Sequence, residues 1–401
     1  MSQPLRVLQI VPSLSLVYGG PSQMVLGLSA ALAQAGVTVT VLTTDSNGDF
    51  AGTTPLDVPL AVPVAQNGYE VIYFRCSPFR RYKFSLELLQ WLKVHAHEYD
   101  VAHIHALFSP VSTAAARVAR QVGLPYILRP LGTLDPADLR KKKLLKQVYA
   151  ALWERANLAG AAAIHFTSDQ EAKVSDRFGA ITRDVVLPLG VSLPEPLPEP
   201  GYARSQLNLP EAVPLVLFLS RIEPKKGLDL LLPALEALLQ AGEQFHFVLA
   251  GANPQDPAYE ASIRARIAAS PLATHTTFTG FIQGSLKAAL LQDVDLFVLP
   301  SYYENFGIAV AEGMAAGLPV VISDQVHIAR NIAEAGAGWV VPCEVNALRE
   351  ALQEAIRDPQ QRQLRGAQGK QYAQEHYTWA SIARQVMQVY DSLRLRKAAK
   401  P

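Results

Sequence analysis

Cysteine is almost missing from this sequence: Cys76 and Cys343 are its two cysteines, and they stand far apart. That excludes a disulfide framework and a thiolate zinc cluster, and it fits a reduced compartment, the cytoplasm. Charge of one sign is missing too. The 36 Lys and Arg are matched by 35 Asp and Glu, leaving a formal net charge of +1, so nothing global points to nucleic acid and any basic surface has to be local. With 49% hydrophobic and 18% charged residues, the chain is not of the disordered class. No window of 18 apolar residues occurs, so no segment reads as a membrane span. The run Val7 to Val17 carries Gln9, Pro12, Ser13 and Ser15 and flows into Gly19-Gly20, which reads as strand and loop and not as a signal peptide.

What the chain does have is length for two domains and a steady alternation of short apolar runs with amphipathic stretches, the pattern of α/β folding. Arg6 to Val11 reads as a first strand and Gly19-Gly20-Pro21 as the loop and helix start that follow it. Met24, Leu28 and Leu32 form the helix face, and Gly36 stops the helix before a strand at Val37 to Leu42. Such a βαβ unit sets a glycine loop at a helix N-terminus, a natural place for an anion. Residues 45–69 are rich in Gly and Pro and carry no informative pattern. Strands are expected at Val71 to Phe74, Val101 to His105, Leu124 to Leu128 and Ala162 to Phe166, and helices over Phe84 to His97 and Leu139 to Ala159. His103 and His105 alternate with Ile104 and so share a face, with His105 nearer the strand's carboxyl end. Ser168-Asp169-Gln170-Glu171 is a capping box that starts a helix. The proline-dense run Pro188 to Pro200 is an extended connector, which divides the chain into domains at 1–190 and 200–378 with a last helix in 379–401.

In the second half, Leu215 to Leu219 is a buried strand leading into Ser220-Arg221-Ile222-Glu223-Pro224-Lys225-Lys226-Gly227. Arg221 and Lys226 therefore leave a strand's carboxyl end and meet a helix N-terminus, where two cations and free N–H groups suit a diphosphate. Asp293-Val294-Asp295 has the look of a metal-binding pair. It lies between a helix end and a strand start, at the opposite sheet edge from the ligand loops, so no catalytic metal is expected. The densest stretch is Ser301-Tyr302-Tyr303-Glu304-Asn305-Phe306-Gly307, followed by a small apolar helix that carries Glu312 and ends at Gly317-Leu318-Pro319. A retaining hydrolase needs carboxyl groups roughly 5–5.5 Å apart across one bond, whereas two glutamates eight positions apart on a loop and its helix more naturally line one wall of an elongated site. Glu312, inside an apolar helix, also needs a partner.

Glu304 and Glu312, with Asn305-Phe306-Gly307 between them and Ala315 to Val321 after them, resemble the paired-glutamate signature of glycosyltransferase family 4, retaining transferases of the GT-B fold. The resemblance implies two doubly wound Rossmann-like α/β domains facing across a cleft, the first holding an acceptor and the second a nucleotide-sugar donor. It implies that Glu304 and the N–H groups of Asn305, Phe306 and Gly307 hold the donor sugar, Glu312 the ribose, and Arg221 and Lys226 the β-phosphate. The segment of Gly280, Phe281 and Ile282 would receive the base, Gly19 and Gly20 would lie beside the diphosphate and the acceptor, and His105 would touch the transferred sugar. His103 would be structural. Three departures stand out: Ser220 where glycine is commoner, Leu131 where a His follows Pro, and His327 near a place often held by Glu. Arg129 then offers the cation that the Leu131 loop lacks.

The expectation is a retaining, metal-independent glycosyltransferase with no cofactor, moving sugar from a UDP- or GDP-linked donor to a glycan or lipid-diphosphate-linked acceptor in bacterial polysaccharide or lipopolysaccharide synthesis. A nucleotide-sugar 2-epimerase and a non-catalytic binding protein share the architecture and stay open. Two basic clusters, one of Arg75, Arg80, Arg81, Lys83 and Lys93 and one over Arg140 to Lys146, point to an anionic membrane surface, hence a cytoplasmic protein peripheral on the inner membrane face. No nucleic-acid partner is expected.

Overall fold

The computed structural model describes residues 4–49, 53–78, 82–140, 142–193 and 196–398. Phe79, Arg80, Arg81 and Lys141 of the basic clusters lie outside the described residues. The chain divides into two units, one of Met1–Gly190 with Trp379–Pro401 and one of Val191–Thr378.

The first unit is built on an eight-stranded sheet of β1 (Arg6–Ser13), β2 (Thr38–Thr44), β3 (Pro63–Gln66), β4 (Tyr69–Phe74), β5 (Val101–His105), β6 (Tyr126–Arg129), β7 (Ala163–Phe166) and β8 (Asp184–Val186) in the order β3-β4-β2-β1-β5-β6-β7-β8. All pairings are parallel except that of β3 with β4. The central strands are apolar on both faces because both are covered. Leu8, Ile10, Ile104, Leu128 and Ile164 face one core with Leu88, Leu92 and Val111, while Val7, Val39, Val101 and Ile127 face another with Leu28 and Leu32. The final helix, Trp379–Ala398, closes that second core through Ile382, Ala383, Val386, Tyr390 and Leu393, spaced three and four apart. Its first residue fits a slot with no room for side chains: a Cβ on Gly27 or Gly190 would lie 2.3 or 2.4 Å from the Trp379 ring.

Within the stretch 45–69, where the sequence carries no pattern, Pro63–Gln66 forms the edge strand, with Pro63 in the first position, where its missing N–H costs no ladder bond. One expectation fails here. The helix expected from Leu139 to Ala159 is interrupted. A short turn, Pro136–Leu139, is capped by Asp135 Oδ1 accepting Ala137 N–H at 2.7 Å, Lys142 takes a left-handed conformation at φ 55°, and the helix restarts at Lys143. Four consecutive basic residues, Arg140 to Lys143, oppose the dipole of a helix N-terminus, and the break falls among them. From Lys143 the helix runs to Gly160 with a π turn at Ala150–Glu154.

The second unit holds six parallel strands, β9 (Leu215–Leu219), β10 (His246–Ala250), β11 (Thr276–Gly280), β12 (Leu296–Leu299), β13 (Val320–Ser323) and β14 (Gly338–Val341), in the order β11-β10-β9-β12-β13-β14. Strand order reverses between β9 and β12. The loops leaving their carboxyl ends diverge, which opens the crevice where such sheets take ligands. Asp293 and Asp295 lie away from it. Asp293 accepts the N–H groups of Gly201, Ala203 and Arg204, and Asp295 accepts that of Leu215 at 2.8 Å and pairs with Arg204 at 3.3 Å.

Candidate active site

The β9 loop and the β12 loop meet at the switch point, and a glycine lets them. Gly227, at φ 73°, comes so close to the end of β12 that a Cβ there would lie 2.0 Å from the Pro300 carbonyl oxygen. Tyr302 N–H donates to the Lys225 carbonyl at 2.9 Å, and the Tyr302 hydroxyl donates to Asp229 at 2.7 Å. On its other side the β12 loop is fastened to the loop after β13, because Glu304 N–H donates to Gln325 O at 3.2 Å and His327 N–H to Glu304 O at 2.9 Å. Glu304 is thus held by its backbone before its side chain is considered.

The Glu304 carboxylate forms an ion pair with Lys226. The Lys226 side chain is 8% exposed and that of Glu304 18%, so the pair is shielded from screening. Burial alone would push the Glu304 carboxyl up. The Lys226 ammonium, with Lys225 and Arg221 behind it, outweighs burial and holds it below its ordinary value. Arg221 stays on the surface, 3.3 Å from Glu223, which also meets Lys225 at 3.4 Å. Three cations therefore gather on one loop with two carboxylates between them.

Asn305, Phe306 and Gly307 lead into the helix Ile308–Ala316, with Gly307 at φ 81° as the residue before its first turn. Phe306 is buried against Tyr377, with ring centroids 5.3 Å apart, so the loop is anchored by an apolar side chain and its N–H groups lie at the helix N-terminus. Glu312, inside that helix, accepts a hydrogen bond from Lys287 Nζ at 2.7 Å. Lys287 was not foreseen: the sequence signals that Glu312 needs a partner, but not which helix supplies it. Phe281 is 72% exposed at the end of β11, and Ile282 beside it is buried. The second unit thus brings together Arg221, Lys226, Glu304 and the Asn305–Gly307 turn on one edge of its sheet.

In the first unit, Gly19 ends a turn over Leu16–Tyr18 at φ 70°, and Gly20 opens the helix Gly20–Gln34. The loop is fastened from within by Ser22 Oγ donating to Ser15 O at 2.9 Å and Ser15 Oγ donating to Asn47 Oδ1 at 2.7 Å. His105 is wholly buried. Its Nε2 bonds Gln9 Oε1 at 2.7 Å, and its ring stacks on His103, whose Nδ1 meets the Tyr390 hydroxyl at 2.7 Å and whose Nε2 meets His165 Nδ1 at 3.1 Å. Arg129 follows the same face, in register with His105 across β5 and β6, and is also buried. Burial first, and neighbouring rings and the Arg129 guanidinium second, drive the three imidazoles below their ordinary range, His165 to about 3. Burial likewise pushes Arg129 down to about 10, with Glu171 acting against it. The other ring nitrogen of His105, Nδ1, is buried and meets no hydrogen-bonding partner among the described residues. Among the described residues, no group of three or more His, Cys, Asp or Glu side chains is placed to hold a metal ion.

Residues 202–372 match the family described as glycosyl transferases group 1, and residues 19–190 match the glycosyl transferase 4-like domain. A phosphatidyl-myo-inositol mannosyltransferase of Mycobacterium leprae is 28% identical over 397 residues, covering 97% of each chain. Among solved structures, the sucrose-phosphate synthase of Thermosynechococcus elongatus superposes with a TM-score of 0.79 at 23% identity, over 98% of this chain and 100% of that one. The Anabaena protein HepE, solved in complex with UDP-glucose, does so with a TM-score of 0.72 at 20% identity, over 97% and 100%. Two parallel-sheet Rossmann-like units with these likenesses define the GT-B fold. The chain belongs to the GT-B glycosyltransferase superfamily and is related to the phosphatidyl-myo-inositol mannosyltransferases.

Proposed function

We propose that this protein is a retaining, metal-independent glycosyltransferase of family 4 that moves a sugar from a UDP- or GDP-linked donor to a glycan or lipid-linked acceptor in polysaccharide or lipopolysaccharide synthesis. The observation that carries this is the gathering of Arg221, Lys226, Glu304 and the Asn305–Gly307 turn where strand order reverses in the second unit. A donor diphosphate is met by Arg221, Lys226 and the N-terminus of the helix Ile308–Ala316, while Glu304 and the turn hold sugar hydroxyls. Glu312, aimed by Lys287, accepts from the ribose. The base takes the edge of Phe281 and Ile282.

As the bond from anomeric carbon to β-phosphate oxygen breaks, negative charge grows on the leaving diphosphate, and the fixed cations stabilise it more in the transition state than before. The acceptor oxygen bonds the same face of the anomeric carbon, and its proton passes to a phosphate oxygen. Transfer is taken to be direct, with no covalent sugar intermediate, as the likeness to family 4 implies. The first unit binds the acceptor, and Gly19, Gly20, His105 and Arg129 are its residues for that task. The relatives' action on phosphatidyl-inositol supports an acceptor anchored in a lipid surface, and the protein then works peripherally on the cytoplasmic face of a membrane.

A thermal-shift screen of nucleoside diphosphates and their sugars tests the donor half, since a ligand at a hundred times its Kd stabilises by about 2.7 kcal/mol. A stabilising nucleotide sugar that is hydrolysed or transferred with retained anomeric configuration supports the reading. Conversion of donor alone into its 2-epimer would replace it with the epimerase, and no shift with any nucleotide would remove it.

A further inference from the structure

A carbonyl oxygen only accepts hydrogen bonds, and one such oxygen fixes every hydrogen in the polar layer of the first sheet. His165 Nε2 meets Leu187 O at 2.8 Å, so that nitrogen carries the hydrogen. Burial keeps His165 neutral, which leaves a lone pair on its Nδ1, and His103 Nε2, 3.1 Å away, must donate to it. His103 is neutral for the same reason, so its Nδ1 accepts from the Tyr390 hydroxyl at 2.7 Å. With its own hydrogen used, the Tyr390 oxygen accepts from Gln9 Nε2 at 3.0 Å. The Gln9 amide thereby turns Oε1 to His105, whose Nε2 donates at 2.7 Å. The opposite orientation of that amide would either set two acceptor oxygens against each other or need a hydrogen on both nitrogens of His103, a buried imidazolium.

This line of bonds ends at His105. Its imidazole is neutral too, so Nδ1 is a lone pair, buried and without a partner among the described residues. Arg129, in register with His105 on β6, is buried as well, and its Nε and Nη1 meet no acceptor there. An unmet acceptor and unmet donors therefore stand on neighbouring strands at the same carboxyl end, in a layer whose other bonds are made. A hydroxyl gives one hydrogen and takes another. An ionised phosphate or a carbonyl oxygen only takes, and would leave Nδ1 unmet.

We propose that Gln9, Tyr390, His103 and His165 are positioning residues that hold His105 as its Nε2–H tautomer, so that its Nδ1 accepts a hydrogen bond from a substrate hydroxyl. A free neutral imidazole carries its hydrogen on either nitrogen and turns about its bond to the backbone. Here both freedoms are removed before substrate arrives. Tyr390, 287 positions from the His103 ring that it bonds, bears on the site from the last helix without touching it. The turn that leaves β5 is strained, with Ala106 at φ 69° and Phe108 at φ 56°, and the hydroxyl reaches the buried nitrogen as that turn gives way. The identity of the hydroxyl, on the donor sugar or on the acceptor, rests on the transferase reading above; the tautomer does not.

The test is long-range proton–nitrogen NMR of the histidine rings in the full chain near neutral pH, with signals assigned by their loss in His103→Gln, His105→Gln and His165→Gln. All three rings are expected as Nε2–H tautomers. Tyr390→Phe, which keeps the ring and removes the hydroxyl, should let His105 populate both tautomers and lower kcat by about tenfold, one hydrogen bond's worth, with donor KM little changed. A lower urea midpoint is expected on losing any buried hydroxyl, but a mixed tautomer and a fall confined to kcat are not. Gln9→Leu should also mix the tautomers, whereas Gln9→Glu, whose protonated acid keeps both contacts, should preserve one. The probes are UDP-glucose, GDP-mannose, the two nucleoside diphosphates, and myo-inositol added to each diphosphate. An Nδ1 signal moved by a nucleotide sugar but not by its diphosphate places the hydroxyl on the donor sugar, and one moved by myo-inositol places it on the acceptor. No movement with any bound probe would mean that buried water fills the place, and would overturn the substrate contact. A hydrogen on Nδ1 of His105 in the free protein, or a single tautomer with intact kcat in both Tyr390→Phe and Gln9→Leu, would overturn the positioning. If wild type binds no nucleotide, the transferase reading falls, and the tautomers of the free protein still decide the positioning.

Discussion

Lys226 and Glu304 are 78 positions apart, on loops leaving two adjacent strands, and they form a buried ion pair at the point where strand order reverses. Removing Lys226 leaves a carboxylate in a site whose burial already disfavours its charge, a change that typically costs about 3–5 kcal/mol. Lys226→Ala should therefore lower the urea midpoint clearly, and Glu304→Gln should do so less, because a neutral amide tolerates the site. In the double variant the losses should not add, giving a coupling of about 1–3 kcal/mol. Additive losses would show that the pair does not hold the loops together.

For Arg221 the expectation is the reverse split. It is half-exposed and, among the described residues, its ion-pair partner is Glu223, so Arg221→Ala should leave stability within about 0.5 kcal/mol. Donor binding should lose a charge-assisted contact worth about 1.5–3 kcal/mol, and kcat should fall further if charge grows on the phosphate in the transition state. Calorimetric titration with nucleoside diphosphate alongside steady-state kinetics decides it. Unchanged affinity and rate would take Arg221 out of the site.

The pair of Lys287 and Glu312 bears on binding more than on rate. A ribose contact is made about equally in ground and transition states, so Glu312→Gln and Lys287→Met should both raise the donor KM by about tenfold with kcat little changed. A collapse of kcat at constant KM in Glu312→Gln would place that carboxylate at the reacting carbon.

These residues also mark where sequence stops informing. The β9 and β12 loops were legible because Arg221, Lys226, Glu304 and Gly307 follow short apolar runs, Leu215 to Leu219 and Leu296 to Leu299, the second closed by Pro300. The six-stranded parallel sheet follows from the same runs. Lys287 was not legible, since a lysine on a helix has no local feature to show which buried acid it will meet. Nor was the packing of His105, which shares a face with His103 as alternation requires and stacks on it, while His103 in turn meets Tyr390 from a helix 287 positions later, a long-range contact that no local pattern encodes. The burial of Glu154 and Asn157 was not legible either, because Thr113, which bonds both, stands on another helix.

Acid should expose the buried histidine layer. His103, His105 and His165 are held neutral in the folded chain, with values depressed by burial, whereas in the unfolded chain each titrates near ~6.5. Above that value neither state carries the protons, and stability from this source is level. Below it the unfolded chain takes up protons that the folded one refuses, so stability falls with pH, at up to about 1.4 kcal/mol per pH unit for each ring. Glu304, whose carboxyl is held low, adds its own loss only below the ordinary carboxylate value near ~4.3, which separates the two effects. Urea unfolding between about pH 7 and pH 5 should show a midpoint dropping steadily, and His165→Gln should remove about one proton of the slope. A midpoint flat across that window would mean that the imidazoles titrate alike in both states, and that the layer under Tyr390 admits protons freely.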